Sequence, residues 1–384
     1  MGNVYLGAPI IYWALRWLLI IILIYSGWMI SYKTKFKHNY WFYSLPAIVT
    51  YSLIEGLRWN RGVDYMHYYQ DLIGTEFKDY NEVLYTFWLS FFKMTGLPYW
   101  VAFIFYSALL VISLLYLLQK FPKTAVWVLP LFFIITVRYS ENLIRQYFSI
   151  PFYLFGFGRL VDKKYISCMF LFIIGFFIHW GSIMFLVSFA LAFLVSKHHP
   201  YKFPIIPASI FIFFYFFWDV SYFDFFADKL SIINLGDMSG MENYTYQAER
   251  WFTEFGRLSY RNGTLYKGVN ETVYYTRFLL YLFIIIYGYY AMKKQKKLSV
   301  IYWISFFAIL ADVIKEDIEM YMRFFAWIAF CIPFVIGAIY ETINMSKIIK
   351  YSSLIVLFFY YIIYSVVSQM YKIDYVGYAF IWDR

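Results

Sequence analysis

The sequence predicts an all-α, polytopic integral membrane protein with about twelve transmembrane helices, several of them short or broken. Three observations carry that expectation. Of 384 residues, 62% are hydrophobic and 15% charged, where a soluble domain of this size carries about a quarter charged residues. Mean hydropathy is +0.59. Apolar stretches of membrane-spanning length recur from end to end, with no long polar region able to fold alone, so residues 1–384 read as one transmembrane domain.

The first apolar run, Ile10 to Ile30, contains one arginine and no small-residue cleavage site, and reads as a span rather than a removed signal peptide. Further runs follow at 41–56, 100–118, 124–137, 143–158, 165–179, 180–195, 203–218, 273–291, 299–311, 324–340 and 351–369. Several fall short of the ~20 residues that cross a bilayer unaided. Short spans imply thin or wet membrane, or helices that stop partway inside the protein. Residues 83–95 are apolar but short and follow a polar loop, as an interfacial helix would.

Lysine and arginine in short loops set the orientation. Clusters at Lys33/Lys35/Lys37, Lys120/Lys123, Arg159/Lys163/Lys164, Lys197/Lys202, Lys293/Lys294/Lys296/Lys297 and Lys347/Lys350 each follow an odd-numbered run. Placing all of them in the cytoplasm puts both termini outside, with residues 57–99, 138–142, a turn at His179, 219–272 and 312–323. The same bookkeeping makes 165–195 a hairpin turning near His179 rather than one long helix. The hydrophilic stretch 219–272 mixes charges with Trp251, Phe252 and Phe255, and reads as an outer-face loop with a short amphipathic helix. Its sequons at Asn243, Asn262 and Asn270 keep a eukaryotic luminal alternative open.

The formal charge of +10 falls in these short clusters, which signal topology and contact anionic headgroups rather than nucleic acid. Cys168 and Cys331 lie in apolar runs and form no disulfide framework or metal-type spacing. No HExxH-type pair is present, so no metal is expected. Gly156-x-Gly158 lacks a third glycine and a preceding strand, and is no dinucleotide loop. No cofactor is expected.

Four constellations carry chemistry. The first is Arg58-Trp-Asn-Arg61-Gly62-Val-Asp64-Tyr65, followed by Tyr68, Tyr69 and Glu82. Arginine suits bidentate phosphate contacts, and Gly62 permits a turn that brings Asp64 towards the same ligand. A juxtamembrane loop with self-pairing charges has the same composition. The second is Arg138, Glu141 and Arg145, whose spacings of three, four and seven place them on one helix face. Arg145 opens an apolar run, which points to a cavity or anion site or to a snorkelling arginine paired with Glu141. The third is His179 between two apolar half-length segments, able to accept or move a proton near neutral pH or to serve as a hydrogen-bonded structural residue. The fourth is Asp312, Glu316, Glu319 and Arg323 on one helical stripe, equally the pattern of a solvated salt-bridge face. All four land on the predicted outer side.

These residues resemble a known family. Arg58…Gly62-Val63-Asp64-Tyr65…Tyr68, then Asn142-Leu-Ile-Arg145-Gln-Tyr-Phe-Ser-Ile150, then Phe176-Phe-Ile-His179-Trp-Gly-Ser-Ile183, and Met322-Arg323-Phe-Phe325 are similar, in that order, to the EpsG-like branch of bacterial Wzy-type polysaccharide polymerases. The family motif often has Gly-Thr-Asp where this chain has Gly62-Val63-Asp64. The resemblance implies a GT-C-like glycosyltransferase of the bacterial inner membrane. It would polymerise undecaprenyl-pyrophosphate-linked oligosaccharide repeat units, as donor and acceptor, at the periplasmic face. A chain-length regulator and a flippase would be its partners, and nucleic acid would not.

On that expectation Arg145, Arg323 and one of Arg58 or Arg61, with Arg138 nearby, hold the pyrophosphate. Asp64 or His179 takes the acceptor's proton. Tyr65, Tyr68 and Tyr69 pack against sugar rings, and Gly62, Glu82, Glu141, Asp312, Glu316 and Glu319 support the site. Two rivals stay open: a flippase or transporter of lipid-linked sugar, against which the lack of mid-span Asp or Glu counts, and an O-antigen ligase-like transferase.

Overall fold

The structure, a computed structural model, describes residues 9–33, 37–62, 64–74, 82–198, 203–218, 271–314, 319–367 and 378–382. Among them helix dominates. The elements are α1 (Pro9–Trp28), α2 (Lys37–Gly56), β1 (Arg58–Trp59), α3 (Tyr65–Ile73), α4 (Val83–Thr95), α5 (Tyr99–Leu118), α6 (Ala125–Asn142), α7 (Ile144–Val161) and α8 (Tyr165–Ile178). Next come α9 (Ile183–His198), α10 (Ile205–Phe217), α11 (Glu271–Lys294), α12 (Ser299–Ile314), α13 (Glu319–Ile328), α14 (Ile332–Thr342), α15 (Lys347–Phe358) and β2 (Ala379–Phe380). Each of the expected apolar runs forms helix over most of its length among the described residues. The run 324–340 is interrupted by a 3-10 turn at Ala329–Cys331, and the last continues into a π-helix, Phe359–Val367.

Among the described residues, 7 helices are long and apolar enough to cross a bilayer, with two shorter apolar ones at Tyr165–Ile178 and Ile205–Phe217. The chain is a polytopic membrane protein. The predicted turn at His179 is present. Phe172 and Phe185 lie thirteen residues apart in sequence, yet their ring centroids are 5.5 Å apart. One continuous helix would separate them by about 20 Å. His179 breaks the helix with extended backbone, φ −154° and ψ 111°.

The chain forms two compact units. The first comprises residues 1–186, 336–344 and 357–384, and the second residues 187–335 and 345–356. In the first, lipid offers no hydrophobic drive to helix packing, so close fit and ring geometry hold the helices together. Gly156 of α7 receives the Phe172 ring of α8, and Gly175 of α8 receives Tyr153. Gly158 receives the Tyr116 ring of α5, so both glycines of the Gly156-x-Gly158 pair serve helix packing. Around α3, α4, α5 and α7 an aromatic cluster includes Tyr65 stacked on Phe103 at 4.9 Å and Tyr106 against Phe148 at 4.7 Å. Each such pair contributes about 0.5–1.5 kcal/mol.

Basic loops of the first unit meet at one end, where Lys120 pairs with Asp162 at 2.6 Å and Lys123 with Glu341 at 3.3 Å. The residues of interest lie at the helix ends opposite to these. There β1 pairs antiparallel with β2, and the Tyr378 hydroxyl donates to the Ile54 carbonyl at 2.5 Å. An all-α expectation had no place for this two-residue ladder, which joins segments more than three hundred residues apart. Residues 219–270 of the expected outer loop, with Trp251, Phe252, Phe255 and the sequon asparagines Asn243, Asn262 and Asn270, lie outside the described residues, as do Val63 and Glu316.

Candidate functional site

The turn after α2 is built around Gly62. Its φ of +109° lies in the left-handed region, and a Cβ there would strike the Glu141 carbonyl. Only glycine meets both conditions. The turn therefore lies directly on the C-terminal end of α6, and two arginines enter the protein with it. Arg58, 3% exposed, donates through Nη1 to the Glu55 carbonyl and to Glu55 Oε2 at 3.2 Å. Arg61, 6% exposed, donates through Nε to Glu141 Oε1 at 2.8 Å. Arg16 of α1 approaches the same Glu141 oxygen at 3.7 Å. Three buried arginines thus face two buried glutamates, an excess of positive charge that favours an anion nearby. Tyr51, Glu55, Arg58, Tyr106, Ser107, Ser140 and Tyr147 line a cavity of about 20 Å³ beside them, room for roughly one water and not for a sugar.

A second cluster is more open. Glu82, at the N-cap position of α4, bridges two partners. Its Oε1 lies 2.9 Å from His179 Nδ1, and its Oε2 accepts from Arg145 Nη1 at 3.1 Å. Arg145 also hydrogen-bonds Tyr68 and sits 5.7 Å over the Tyr85 ring. These three side chains keep 13–23% of their surface exposed, unlike the arginines above. An ionised carboxylate only accepts hydrogen bonds, so Nδ1 carries a proton, and in the neutral imidazole Nε2 is the basic nitrogen. The carboxylate fixes the tautomer and stabilises the imidazolium that forms when Nε2 takes a proton, as in the Ser-His-Asp arrangement.

Burial pushes the Glu82 carboxyl up, but the His179 hydrogen bond and the Arg145 charge outweigh it and hold the group below its ordinary value. A carboxyl depressed on folding stabilises the protein above the ordinary carboxylate range. It loses that contribution as pH falls through the depressed value. The melting temperature of the detergent-solubilised wild type should therefore exceed that of Glu82→Gln at neutral pH. The gap should close in strong acid. A gap constant across that range would show that the Glu82 charge is not what ties these residues together.

Several sequence expectations change. Arg138, Glu141 and Arg145 do not share one helix face. Leu143, at φ −93° and ψ 59°, ends α6 and precedes α7. Glu141 turns to Arg61, Arg145 pairs with Glu82 instead, and Arg138 is exposed on α6. Tyr65 is fully buried, its hydroxyl bound to the Arg58 carbonyl at 2.9 Å, and offers no face to a sugar. Tyr68 is buried against Arg145, and Tyr69 packs edge-on to Trp59 and Tyr99. Glu82 belongs with His179 rather than with the Arg58 turn. Arg58 and Arg61 are consumed by internal ion pairs. Asp64 is half-buried one turn before Tyr68 at the N-cap position of α3, with no side-chain cap hydrogen bond.

In the second unit the expected Asp312–Arg323 stripe is not one described helix. Asp312 is buried near the end of α12 and accepts from the Tyr281 hydroxyl at 2.5 Å. Glu319 opens α13, and Arg323 is exposed on it.

Two participants escaped sequence reasoning. Glu55 sits inside an apolar run without a motif. Arg16 had a signal, since a charge within a span is a functional candidate by default.

No match was found among curated proteins or among solved structures. A sequence model described as the EpsG family matches residues 40–380, from the start of α2 to β2, and so includes the Arg58–Asp64 turn, Glu82, Arg145 and His179. The chain belongs to the EpsG family, a family of Wzy-like polysaccharide polymerases.

Proposed function

We propose that this chain is a glycosyltransferase that joins undecaprenyl-pyrophosphate-linked oligosaccharide repeat units into a surface polysaccharide, at the periplasmic face of the bacterial inner membrane. The observation that carries the proposal is the His179–Glu82–Arg145 cluster, a base with its orienting carboxylate beside a guanidinium, at the helix ends opposite to the basic loops. The lysine and arginine distribution supports the outer-face assignment. All twelve helical runs then cross or enter the bilayer, in a GT-C-like architecture.

In the reaction, a hydroxyl of the incoming unit attacks the anomeric carbon of the growing chain. The bond from that carbon to the lipid pyrophosphate breaks, and the pyrophosphate leaves with the electron pair. His179 Nε2 takes the hydroxyl proton while Glu82 holds Nδ1–H. Arg145 neutralises the charge growing on the leaving group. Arg58 and Arg61 hold the Gly62 turn through their ion pairs with Glu55 and Glu141. Asp64 adds a carboxylate near Tyr68 for sugar hydroxyls.

Deletion of the gene tests this reading. Single repeat units would still reach the outer face and be attached, leaving one-unit glycoforms visible as a single step on a gel. Loss of those glycoforms as well would favour a transporter. A chain-length regulator and a flippase are the protein partners this function requires.

A further inference from the structure

We propose that α1, which precedes the segment matched by the family model, belongs to the reactive apparatus, with Arg16 and Tyr12 as positioning residues for Arg61 and Glu141. This inference rests on the polymerase reading above.

The geometry is specific. Arg16 and Tyr12 are one turn apart on α1, so both side chains face the same way. The Tyr12 ring is shared by two cations, with Arg61 3.7 Å and Arg16 4.5 Å from its centroid. Phe133 of α6 lies 5.4 Å beneath the Arg16 guanidinium. The two arginines also converge on one atom, Glu141 Oε1. Arg61 is thus held by the Tyr12 ring and by the Glu141 carboxylate, and Arg16 contacts both. All four residues are buried.

A single arginine would neutralise Glu141, so neutralisation alone does not account for the second. What Arg16 adds is a fixed place for Arg61 and hence for the turn that carries Gly62 and Asp64. Like-charge repulsion between the two arginines is offset by the shared carboxylate and by the negative face of the ring. Loss of Arg16 removes one of the two guanidiniums that converge on Glu141 Oε1, and loss of the ring removes a surface that both guanidiniums contact.

The test uses the full-length protein with Arg16→Gln, Arg16→Lys, Tyr12→Leu and Tyr12→Phe. Folded protein is measured by size-exclusion chromatography, Arg61 reactivity by phenylglyoxal modification with peptide mass spectrometry, and function by polymer length in cells. Arg16→Gln and Tyr12→Leu should raise Arg61 modification at least fivefold in the folded fraction and shorten the polymer made per folded protein. Tyr12→Phe keeps the ring and should behave as wild type, while Arg16→Lys keeps the charge without the planar stack and should fall between. If Arg61 reactivity does not rise in Arg16→Gln or Tyr12→Leu, or rises while polymer length holds, the inference is overturned. If Arg61 loosens as expected but the wild-type protein makes no polymer, the positioning stands and the polymerase reading fails.

Discussion

Replacing His179 with Ala should lower polymer formation by about 10²- to 10⁴-fold, the range that a positioned general base contributes, with protein level unchanged. Glu82→Gln should cost less. It keeps an acceptor for Nδ1–H but removes the charge that stabilises the imidazolium. Because the two residues act as one unit, the double variant should be no worse than His179→Ala alone. Additive losses would mean that Glu82 serves the reaction through Arg145 and not through His179. Polymer of wild-type length and rate from His179→Ala would remove the histidine from the mechanism and leave Asp64 as the carboxylate to test next. The measurement is initial rate per folded enzyme, since a band of full-length polymer at long times conceals a slow catalyst.

Arg145→Lys is expected to be the second large effect. A lysine keeps the charge and would snorkel equally well, so a topology role predicts no change. In the structure, however, Arg145 reaches Glu82 at 3.1 Å, hydrogen-bonds Tyr68 and covers the Tyr85 ring. A planar fork serves three neighbours at once, and an ammonium does not. Losing one charge-assisted hydrogen bond to the leaving group would cost roughly 1.5–3 kcal/mol, or about ten- to more than a hundredfold in rate. Arg145→Ala should be worse. A wild-type length distribution from Arg145→Lys at equal expression would assign the residue to charge alone. Variants of Arg58 and Arg61 answer a different question. Removing one partner of a buried ion pair destabilises a protein by about 3–5 kcal/mol, so their loss of function must be read against the amount of folded protein.

The helices of this protein were legible because apolar run length is a strong signal, and each expected run holds a helix among the described residues. The break at His179 followed from charge bookkeeping on either side of it, and the Phe172–Phe185 contact agrees. The gathering of Arg61, Glu82, Glu141, Arg145 and His179 at one end of the first unit was also readable, because it depends only on which helix ends they occupy. The pairing was not. Glu82 meets Arg145 across 63 residues and His179 across 97, and no local pattern encodes such contacts. The single-helix reading of Arg138 to Arg145 failed at Leu143, where neither proline nor glycine marks the break. Aromatic rings expected to face sugars instead pack on one another, since in a chain that is 26% aromatic rings are the main packing material. The ladder between Arg58–Trp59 and Ala379–Phe380 has no sequence signature at two residues in length.

The central claim, that the His179–Glu82–Arg145 cluster serves glycosyl transfer between two lipid-linked units, is tested most directly by reconstitution. Purified protein in liposomes is given a polyprenyl-pyrophosphate oligosaccharide as the sole sugar, and both products are counted. The account predicts oligosaccharides lengthened by whole repeat units, one polyprenyl pyrophosphate released for each new bond, and loss of both in His179→Ala. Movement of the lipid-linked unit across the bilayer with no lengthening and no released pyrophosphate would contradict it.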